Sequence, residues 1–377
     1  MNTSWFESRS RRTVTGGSRL LKALHLDGPL LVLLAVTAGF GLLVLYSAAG
    51  GNTALWLRQG ARLGLAVLAL LVLAQVPARF LRMLTPLAYA AGVMLLVLVA
   101  GLGEIGKGAQ RWLDLGFVRF QPSELMKLAV PMMCAWYLHD RALPASLPQT
   151  LVVLVIIVLP AGLIAEQPDL GTALLVAAAG LFVILLAGLP WRWVFAGAGL
   201  AAAAAPVAWF FLHDYQRQRV LTLLDPQSDP LGAGYHIIQS QIAIGSGGIF
   251  GKGWMNGSQA QLEFLPERST DFIFAVIGEE LGLIGQVFLI GLYLAIIGRA
   301  LFLANECKDT FGRLVAGSIA LTFFVYVFVN TGMVTGILPV VGVPLPLVSY
   351  GGTSMVTLMA GFGILMSLRS QRKLVRT

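Results

Sequence analysis

Long apolar runs alternate with short polar stretches along almost the whole chain. A helix rises 1.5 Å per residue, so about 20 apolar residues cross the hydrocarbon core of a bilayer. The pattern therefore predicts an all-α polytopic membrane protein with ten transmembrane helices. The predicted spans centre on residues 29–48, 59–76, 85–102, 123–138, 149–165, 169–188, 191–212, 271–298, 312–333 and 346–368.

Composition and charge placement agree with this topology. Hydrophobic residues make up 57% of the 377 and charged residues only 12%, which excludes a soluble globular domain and a disordered chain. With both termini inside, 16 of the 26 Lys and Arg residues fall on the cytoplasmic side, as the positive-inside rule requires. We expect a basic cytoplasmic tail at 1–27, one ten-helix domain at 28–368 and a second basic tail at 369–377. The net charge of +8 follows from this topology, so no nucleic-acid partner is expected.

Two outer connections hold most of the remaining charge. They are residues 103–122 and a large extracytoplasmic loop at about 213–270, between helices 7 and 8. Long structured loops usually carry function, so we expect the site at this outer face.

Several common chemistries lack their motifs. There are four histidines and neither an H-E-x-x-H nor a G-x-S-x-G sequence, which argues against zinc and serine hydrolysis. A stretch that resembles a phosphate-binding loop departs from that motif at its first Gly and at its final Ser/Thr: Ser246-Gly-Gly-Ile-Phe-Gly-Lys252-Gly253. What remains is the chemistry of carboxylates and cations.

Ionisable residues at membrane depth are candidates for function because burying them is costly. Glu124 lies three residues before Lys127 near the start of the fourth predicted helix, so the two side chains can pair. The pair fixes the helix orientation, lines a site, or does both. Asp169 caps the sixth helix or presents a carboxylate to an outer cavity.

Asp271 is the third candidate carboxylate. In an ideal helix, Ala275, Gly278, Gly282 and Gly285 lie within about 40° of its direction, which predicts a face of small residues with one acid at the outer end. Such a face packs closely, so the acid points into protein or a water-filled cleft. A simple N-terminal cap on a packing helix is the alternative.

Five basic residues on the outer side are candidates to bind a pyrophosphate or another anion, with contacts to lipid head groups as the alternative. They are Arg111, Arg119, Arg217, Arg219 and Lys252. The sequence from Pro344 to Ser354 contains two prolines and two glycines, and it predicts an irregular, re-entrant segment beside the last span.

Seven ordered motifs between about residue 28 and the C-terminus resemble the SEDS family (shape, elongation, division and sporulation) of cell-wall polymerases. The short tails and Arg268 favour its RodA-like elongation branch over the division branch. The motifs are Gly108-Ala-Gln-Arg111-Trp112-Leu, Gln121-Pro-Ser-Glu124-Leu-x-Lys127, Gln167-Pro-Asp169-Leu-Gly-Thr, Gln218-Arg219-Val-x4-Asp225-Pro, Gly234-Tyr-x3-Gln239-Ser, Leu265-Pro-Glu-Arg-Ser-Thr270-Asp271-Phe-Ile-Phe and Ser349-Tyr-Gly-Gly352.

The resemblance implies a peptidoglycan glycosyltransferase of the bacterial inner membrane, with its active site facing the periplasm. Its substrates would be lipid II and the growing glycan strand, and its partner a class B penicillin-binding protein, the transpeptidase. Asp271 matches the family's essential acid, while Glu124, Lys127 and Asp169 match its cavity charges. Thr270 and Ser349 lie in the motifs and are expected to line the same cavity.

Asp271 suits a general base, because a sugar hydroxyl is a poor nucleophile until a carboxylate takes its proton. Basic side chains, or a divalent cation (Mg²⁺ or Mn²⁺) held by carboxylates, would stabilise the departing pyrophosphate. No certain cofactor follows from the sequence. The alternatives are a lipid II flippase or other transporter, a division-type member of the family, and a scaffold for wall enzymes.

Overall fold

The computed structural model describes residues 24–102, 104–106, 109–114, 119–212, 214–229, 232–262, 264–265 and 267–370. Most of these residues are helical. The helices are α1 (Gly28–Ala48), α2 (Thr53–Gln75), α3 (Ala78–Leu102), α4 (Pro122–Leu138), α5 (Leu147–Glu166), α6 (Leu170–Leu186), α7 (Trp191–Phe211), α8 (Asp214–Leu224), α9 (Ala233–Gly247), α10 (Ser258–Gln261), α11 (Ile273–Glu306), α12 (Thr310–Val334) and α13 (Thr353–Ser370).

Each predicted span corresponds to one long helix, α1 to α7 and α11 to α13. Within the described part of the chain, six helices are long and apolar enough to cross a membrane: α1, α2, α3, α5, α11 and α12. The multi-helix membrane fold is therefore confirmed, whereas the count of ten spans and the orientation of the termini stay predictions. The last helix extends two residues beyond the predicted boundary at 368 because Arg369 and Ser370 continue it.

The two long connections are structured. The first contains a small antiparallel sheet, β1 (Glu104–Gly106), β2 (Ala109–Asp114) and β3 (Arg119–Phe120), in the order β1-β2-β3. The fold is thus helical as predicted, apart from this sheet. The second connection folds into α8, a 3₁₀ turn at Pro226–Ser228, α9 and α10.

Helices pack closely where glycine replaces a side chain. On α13, a Cβ at Gly363 would lie 2.5 Å from the carbonyl oxygen of Leu70, so α13 approaches the backbone of α2 directly. Buried aromatic rings join α11, α12 and α13, with ring centroids 5.7 Å apart for Tyr293 and Phe323 and 5.3 Å apart for Phe323 and Phe362. These contacts fix the helices around the irregular segment before α13.

Helix α11 is broken at Gly282, where φ is 64° and ψ is −162°. The glycine-rich loop after α9 fills the break, because the amides of Leu283 and Ile284 donate to the carbonyls of Gly248 and Ile249 at 3.0 and 3.2 Å. On the other side, the amide of Lys252 donates to the carbonyl of Glu279 at 2.9 Å. The stretch that resembles a phosphate loop is thus a structural insert that satisfies backbone groups at the break.

The break at Gly282 shows that the prediction of one continuous helix face of small residues is wrong. Asp271 lies in a turn before α11 begins, and Gly282 is not helical, so the face is not one continuous helix surface. The expected close packing is nevertheless present, since a Cβ at Gly247 would lie only 1.9 Å from the carbonyl oxygen of Gly278.

At the end of the bundle remote from Asp271, an ion cluster joins three helices. Asp27 caps α1 by accepting from the Leu30 amide at 3.0 Å, and both Arg299 and Arg369 approach its Oδ2 at 2.7 Å. Burial raises the pKa of Asp27, but the hydrogen bonds and charges of these partners outweigh it, so the net pKa lies below its ordinary value.

Candidate functional site

Three successive carbonyl groups hold the turn that carries Asp271. Ser269 accepts from the Tyr350 amide at 2.8 Å, Thr270 from the Ser349 hydroxyl at 2.5 Å, and Asp271 from the Asn330 side-chain amide at 2.8 Å. The three donors come from α12 and from the irregular segment before α13. The turn is therefore fixed by residues that lie more than 50 positions later in the chain.

The carboxylate of Asp271 lies beside the irregular segment. A Cβ at Gly342 would be 3.6 Å from Asp271 Oδ2, and Gly342 has a φ of 75°, which favours glycine. Asn330 donates to the carbonyl of Val343 as well, also at 2.8 Å. The buried side-chain amide of Asn330 thus bonds to the backbone of Asp271 and to the backbone of Val343, the residue after Gly342.

The Ser349 loop is in turn held by α2. Gln59 donates to the carbonyl of Ser349 at 3.1 Å and accepts from the amide of Gly351 at 3.3 Å. The guanidinium of Arg62 lies over the ring of Tyr350, 4.5 Å from its centroid. A permanent cation therefore stands next to the loop that holds the Asp271 turn.

Glu124 and Lys127 form the predicted ion pair at 2.7 Å, with only 8% and 5% of their side chains exposed. Pro122 begins α4, so Glu124 lies in the first turn, where the helix dipole favours an acid. Lys127 Nζ lies 5.4 Å from the ring centroid of Tyr326.

Beside this pair is a cavity of about 20 Å³, which is room for one water molecule. Lys127, Thr322 and Tyr326 contribute polar atoms to its lining. Among the described residues, the Thr322 hydroxyl and Glu124 Oε2 are buried without a hydrogen-bond partner. The structure thus gathers unsatisfied polar atoms in the interior next to the ion pair.

Asp169 caps α6, as the simpler interpretation of the sequence predicted. Its Oδ1 accepts from the amide of Thr172 at 3.2 Å, and its Oδ2 accepts from Gln121 at 3.0 Å. Gln121 immediately precedes α4, so this bond ties the start of α6 to the helix that carries Glu124. Asp169 is 7% exposed.

Close backbone packing connects these groups to Asp271. A Cβ at Gly171, in the first turn of α6, would lie 2.6 Å from the carbonyl oxygen of Val341. Val341 precedes Gly342, whose neighbour is the Asp271 carboxylate. The acids of three separate motifs, Glu124, Asp169 and Asp271, are therefore linked by direct contacts through α4, α6 and the irregular segment.

Three of the five predicted basic residues are engaged in local contacts. Lys252 pairs at 2.7 Å with Glu279, which is fully buried. Arg217 donates to the carbonyls of Trp209 and Phe210 at the end of α7, at 3.0 and 2.9 Å. Arg219 lies 5.8 Å from the ring centroid of Tyr215. The side chains of Arg111 and Arg119 lie outside the described part of the structure, so anion binding by all five stays a prediction.

Thr270 and Ser349 both use their hydroxyl groups to hold backbone and side chains. Thr270 Oγ1 donates to Glu267 Oε2 at 2.6 Å, and Ser349 Oγ accepts from the Leu345 amide at 2.8 Å. These contacts shape the turn around Asp271.

His236 of α9 stacks on Phe272, the residue after Asp271, with ring centroids 5.5 Å apart and an interplanar angle of 26°. Burial lowers the pKa of His236 below its ordinary value, although the charges of Glu267 and Asp229 act in the opposite direction. The imidazole beside the site is therefore neutral at neutral pH.

For metal binding, the described residues contain no group of three or more His, Cys, Asp or Glu side chains placed to hold an ion. Glu279 and Glu280 are adjacent, but their carboxylates are directed to Lys252 and Ser47.

The sequence interpretation missed Asn330, Gln59 and Arg62 as site residues. Asn330 is fully buried and Gln59 is 2% exposed, although both lie in apolar helices. A polar side chain within a predicted membrane span was the signal that could have identified them, because such a group needs a partner inside the protein.

Comparison with known proteins matches most of the chain to one family. A family model described as "Cell cycle protein" (FtsW, RodA, SpoVE) matches residues 29–374. "Peptidoglycan glycosyltransferase MrdB" of Escherichia coli is 55% identical over 93% of this chain and 95% of its own length. "Probable peptidoglycan glycosyltransferase FtsW" of Trichlorobacter lovleyi is 38% identical over 92% and 94%.

Solved structures resemble this chain over a similar range. One, from a study of polymerization and crosslinking by a peptidoglycan synthase complex, has a TM-score of 0.81 at 36% identity, covering 91% of this chain and 97% of its own. The rod shape determining protein RodA of Thermus thermophilus has a TM-score of 0.69 at 32% identity, covering 91% and 96%.

Proposed function

The chain belongs to the family of cell cycle proteins that includes FtsW, RodA and SpoVE, and we propose from this premise how it acts. It is a peptidoglycan glycosyltransferase of the inner membrane with several membrane-spanning helices. The elongation role follows from its 55% identity to the MrdB of Escherichia coli, compared with 38% to the FtsW of Trichlorobacter lovleyi. A transporter function is not favoured.

The substrate we propose is lipid II, used at the periplasmic face of the membrane with both chain termini in the cytoplasm. One observation supports the site above all others: contacts through α4, α6 and the irregular segment join Glu124, Asp169 and Asp271. Glu124 and Asp169 are buried and Asp271 is half-buried, and ionisable groups in an apolar surrounding are costly, so a set of this kind indicates function.

Asp271 is the proposed general base. Its carboxylate takes the proton of the acceptor 4-hydroxyl while the oxygen forms a bond to the anomeric carbon of the growing glycan. The bond from that carbon to the pyrophosphate oxygen breaks, and the polyprenyl pyrophosphate leaves with the electron pair, so the configuration inverts. A pyrophosphate leaves without protonation, and one base is enough.

Cations near the base would stabilise the charge that develops on the leaving group. Lys127 and Arg62 are the candidates with defined positions, since Lys127 lies in the ion pair and Arg62 stands over Tyr350. Lys252 and Arg217 contact Glu279 and the end of α7, whereas Arg62 contacts the loop that holds the Asp271 turn and Lys127 lies on α4, which Gln121 joins to Asp169. We therefore place the pyrophosphate nearer to Lys127 and Arg62 than to these two loop residues.

A class B penicillin-binding protein is the proposed partner, because a polymerised strand must be crosslinked. The similar chain from a peptidoglycan synthase complex supports this assignment.

The test is polymerisation of labelled lipid II in detergent by the purified protein together with its partner. Asp271→Asn keeps the size and shape of the side chain and removes the base, so we expect the glycan ladder to disappear while the protein stays folded. Asp214→Asn is the matched control, since Asp214 is fully exposed in the outer connection and its variant should polymerise normally.

Polymerisation by Asp271→Asn at the wild-type rate would refute the role of the base. Absence of a ladder from the folded wild-type complex would refute the proposed substrate. Detergent removes the two leaflets, so a protein that only moves lipid II gives no product in this assay.

A further inference from the structure

Asn330 is a fully buried amide in α12, and it contacts the turn that carries the proposed base. We propose that Asn330 is a positioning residue for glycosyl transfer, which acts by holding the backbone of Asp271. This inference rests on the proposed role of Asp271. It concerns a residue that touches neither reacting group and works only through its neighbour.

The geometry makes Asn330 a bridge between two backbone segments. Its side-chain nitrogen donates to the carbonyl oxygens of Asp271 and Val343, each at 2.8 Å. Because Gly342 directly precedes Val343 and faces Asp271 Oδ2, the same bridge sets how closely the carboxylate approaches this backbone. Without this bridge, the carbonyl of Asp271, which is one of the three carbonyl groups that hold the turn, loses its hydrogen bond.

Asn330 is also poorly explained by stability alone. Its side-chain oxygen is buried without a hydrogen-bond partner among the described residues. A buried polar atom left without a partner is unfavourable, although the same amide satisfies two backbone carbonyl groups. The amide is therefore suited to fixing a position rather than to maximising the stability of α12.

The requirement is specific to asparagine. A carboxylate at the same place, as in Asn330→Asp, has no N–H to donate and brings a negative charge to two carbonyl oxygens. The longer side chain in Asn330→Gln keeps an amide but adds one methylene, so it cannot keep both bonds at their present lengths. Both variants should lower the rate of transfer for this geometric reason.

Ser318 provides a matched control on the same helix. It is fully buried, and its hydroxyl donates to the carbonyl of Ala179 at 2.7 Å. It precedes Asn330 by 12 positions, or about 18 Å along α12, so Ser318→Ala removes a buried hydrogen bond far from Asp271. Comparing variants at Asn330 and Ser318 therefore distinguishes a positioning role from a purely structural one.

The experiment measures kcat, KM for lipid II and the thermal unfolding midpoint for the purified complex. We expect Asn330→Ala to lower kcat about 10- to 100-fold, the loss typical of a small misplacement of a reacting group, with KM changed less than about threefold. Ser318→Ala should lower the unfolding midpoint to a similar extent and leave kcat unchanged. If the alanine variant does not fold, the kcat, KM and unfolding midpoint of Asn330→Gln, which retains an amide, are compared with those of Ser318→Ala instead.

Equal kcat values for the Asn330 variants and Ser318→Ala would overturn the proposal. Activity in Asp271→Asn together with a defect in Asn330→Ala would also overturn it, because the effect would then not pass through Asp271. An inactive wild-type complex, in contrast, is a failure of the proposed function itself.

Discussion

The buried pair of Glu124 and Lys127 allows a quantitative prediction. Lys127→Met keeps most of the side-chain volume but leaves the Glu124 carboxylate buried without its partner. Glu124→Gln leaves the ammonium group in the same position. The double variant replaces the ion pair by a neutral pair of similar size.

The magnitudes follow from the burial. With only 5% and 8% of the side chains exposed and a separation of 2.7 Å, solvent screens the pair very little. Removing one partner of a buried pair costs about 3–5 kcal/mol, whereas replacing both by groups of similar volume is often neutral. Each single variant should therefore shift the unfolding equilibrium by two to three and a half orders of magnitude, at about 1.4 kcal/mol per decade. The double variant should recover most of this loss.

The assay combines unfolding in detergent with lipid II polymerisation on the four proteins of the cycle. We expect a coupling energy of at least about 2 kcal/mol between the two substitutions. The double variant should regain stability but polymerise less than a tenth as fast as the wild type, because Lys127 is proposed to face the leaving group. A coupling energy below about 0.5 kcal/mol would refute the prediction that Glu124 and Lys127 act as one unit. Full activity of the double variant would show that the pair has a structural role and no catalytic one.

Two further predictions concern the ends of the bundle. Asp27→Asn should destabilise the protein at neutral pH, because it removes the carboxylate that pairs with Arg299. The pKa of Asp27 is lowered in the folded protein, so this stabilisation is lost as the carboxylate protonates. The difference in stability between the variant and the wild type should therefore shrink below about pH 4. A difference in unfolding midpoint that stays constant between pH 7 and 3 would contradict this. Gly251→Ala should cost at least about 2 kcal/mol, because φ is 79° there and the new Cβ would lie 2.1 Å from the Glu280 carbonyl oxygen. The control Gly245→Ala has no atom within 4 Å and should be neutral or slightly stabilising, and equal unfolding midpoints for the two variants would refute the account.

The apolar pattern predicted the helices well, because a run of about 20 apolar residues has few alternatives in a bilayer. The starts of α4 and α6 were also predictable, since Pro122 and Asp169 are strong local signals for a helix start. The pairing of Glu124 with Lys127 follows from their spacing alone, and the structure confirms it. These features depend on neighbours in the sequence.

The features that were missed depend on contacts between distant segments. Nothing near Asn330 in the sequence indicates that its partners are Asp271 and Val343. Lys252 was assigned to an anion by its location, but the buried acid that pairs with it, Glu279, comes from another element. The break at Gly282 was missed because the apolar pattern resumes directly after Glu279 and Glu280, while the loop residues that satisfy it lie 35 positions earlier in the chain.

The loop that fills the break in α11 has a consequence for how substrate enters. Glycine breaks in membrane helices are natural places to bend, yet bending here would separate Leu283 and Ile284 from the carbonyls of Gly248 and Ile249. We expect the outer part of α11 and this loop to move together, because breaking these bonds in an apolar surrounding would leave backbone groups unpaired. We therefore expect the proposed lipid-linked substrate to reach Asp271 through an opening between whole helices, and amide hydrogen exchange at Leu283 and Ile284 should stay slow while the enzyme turns over.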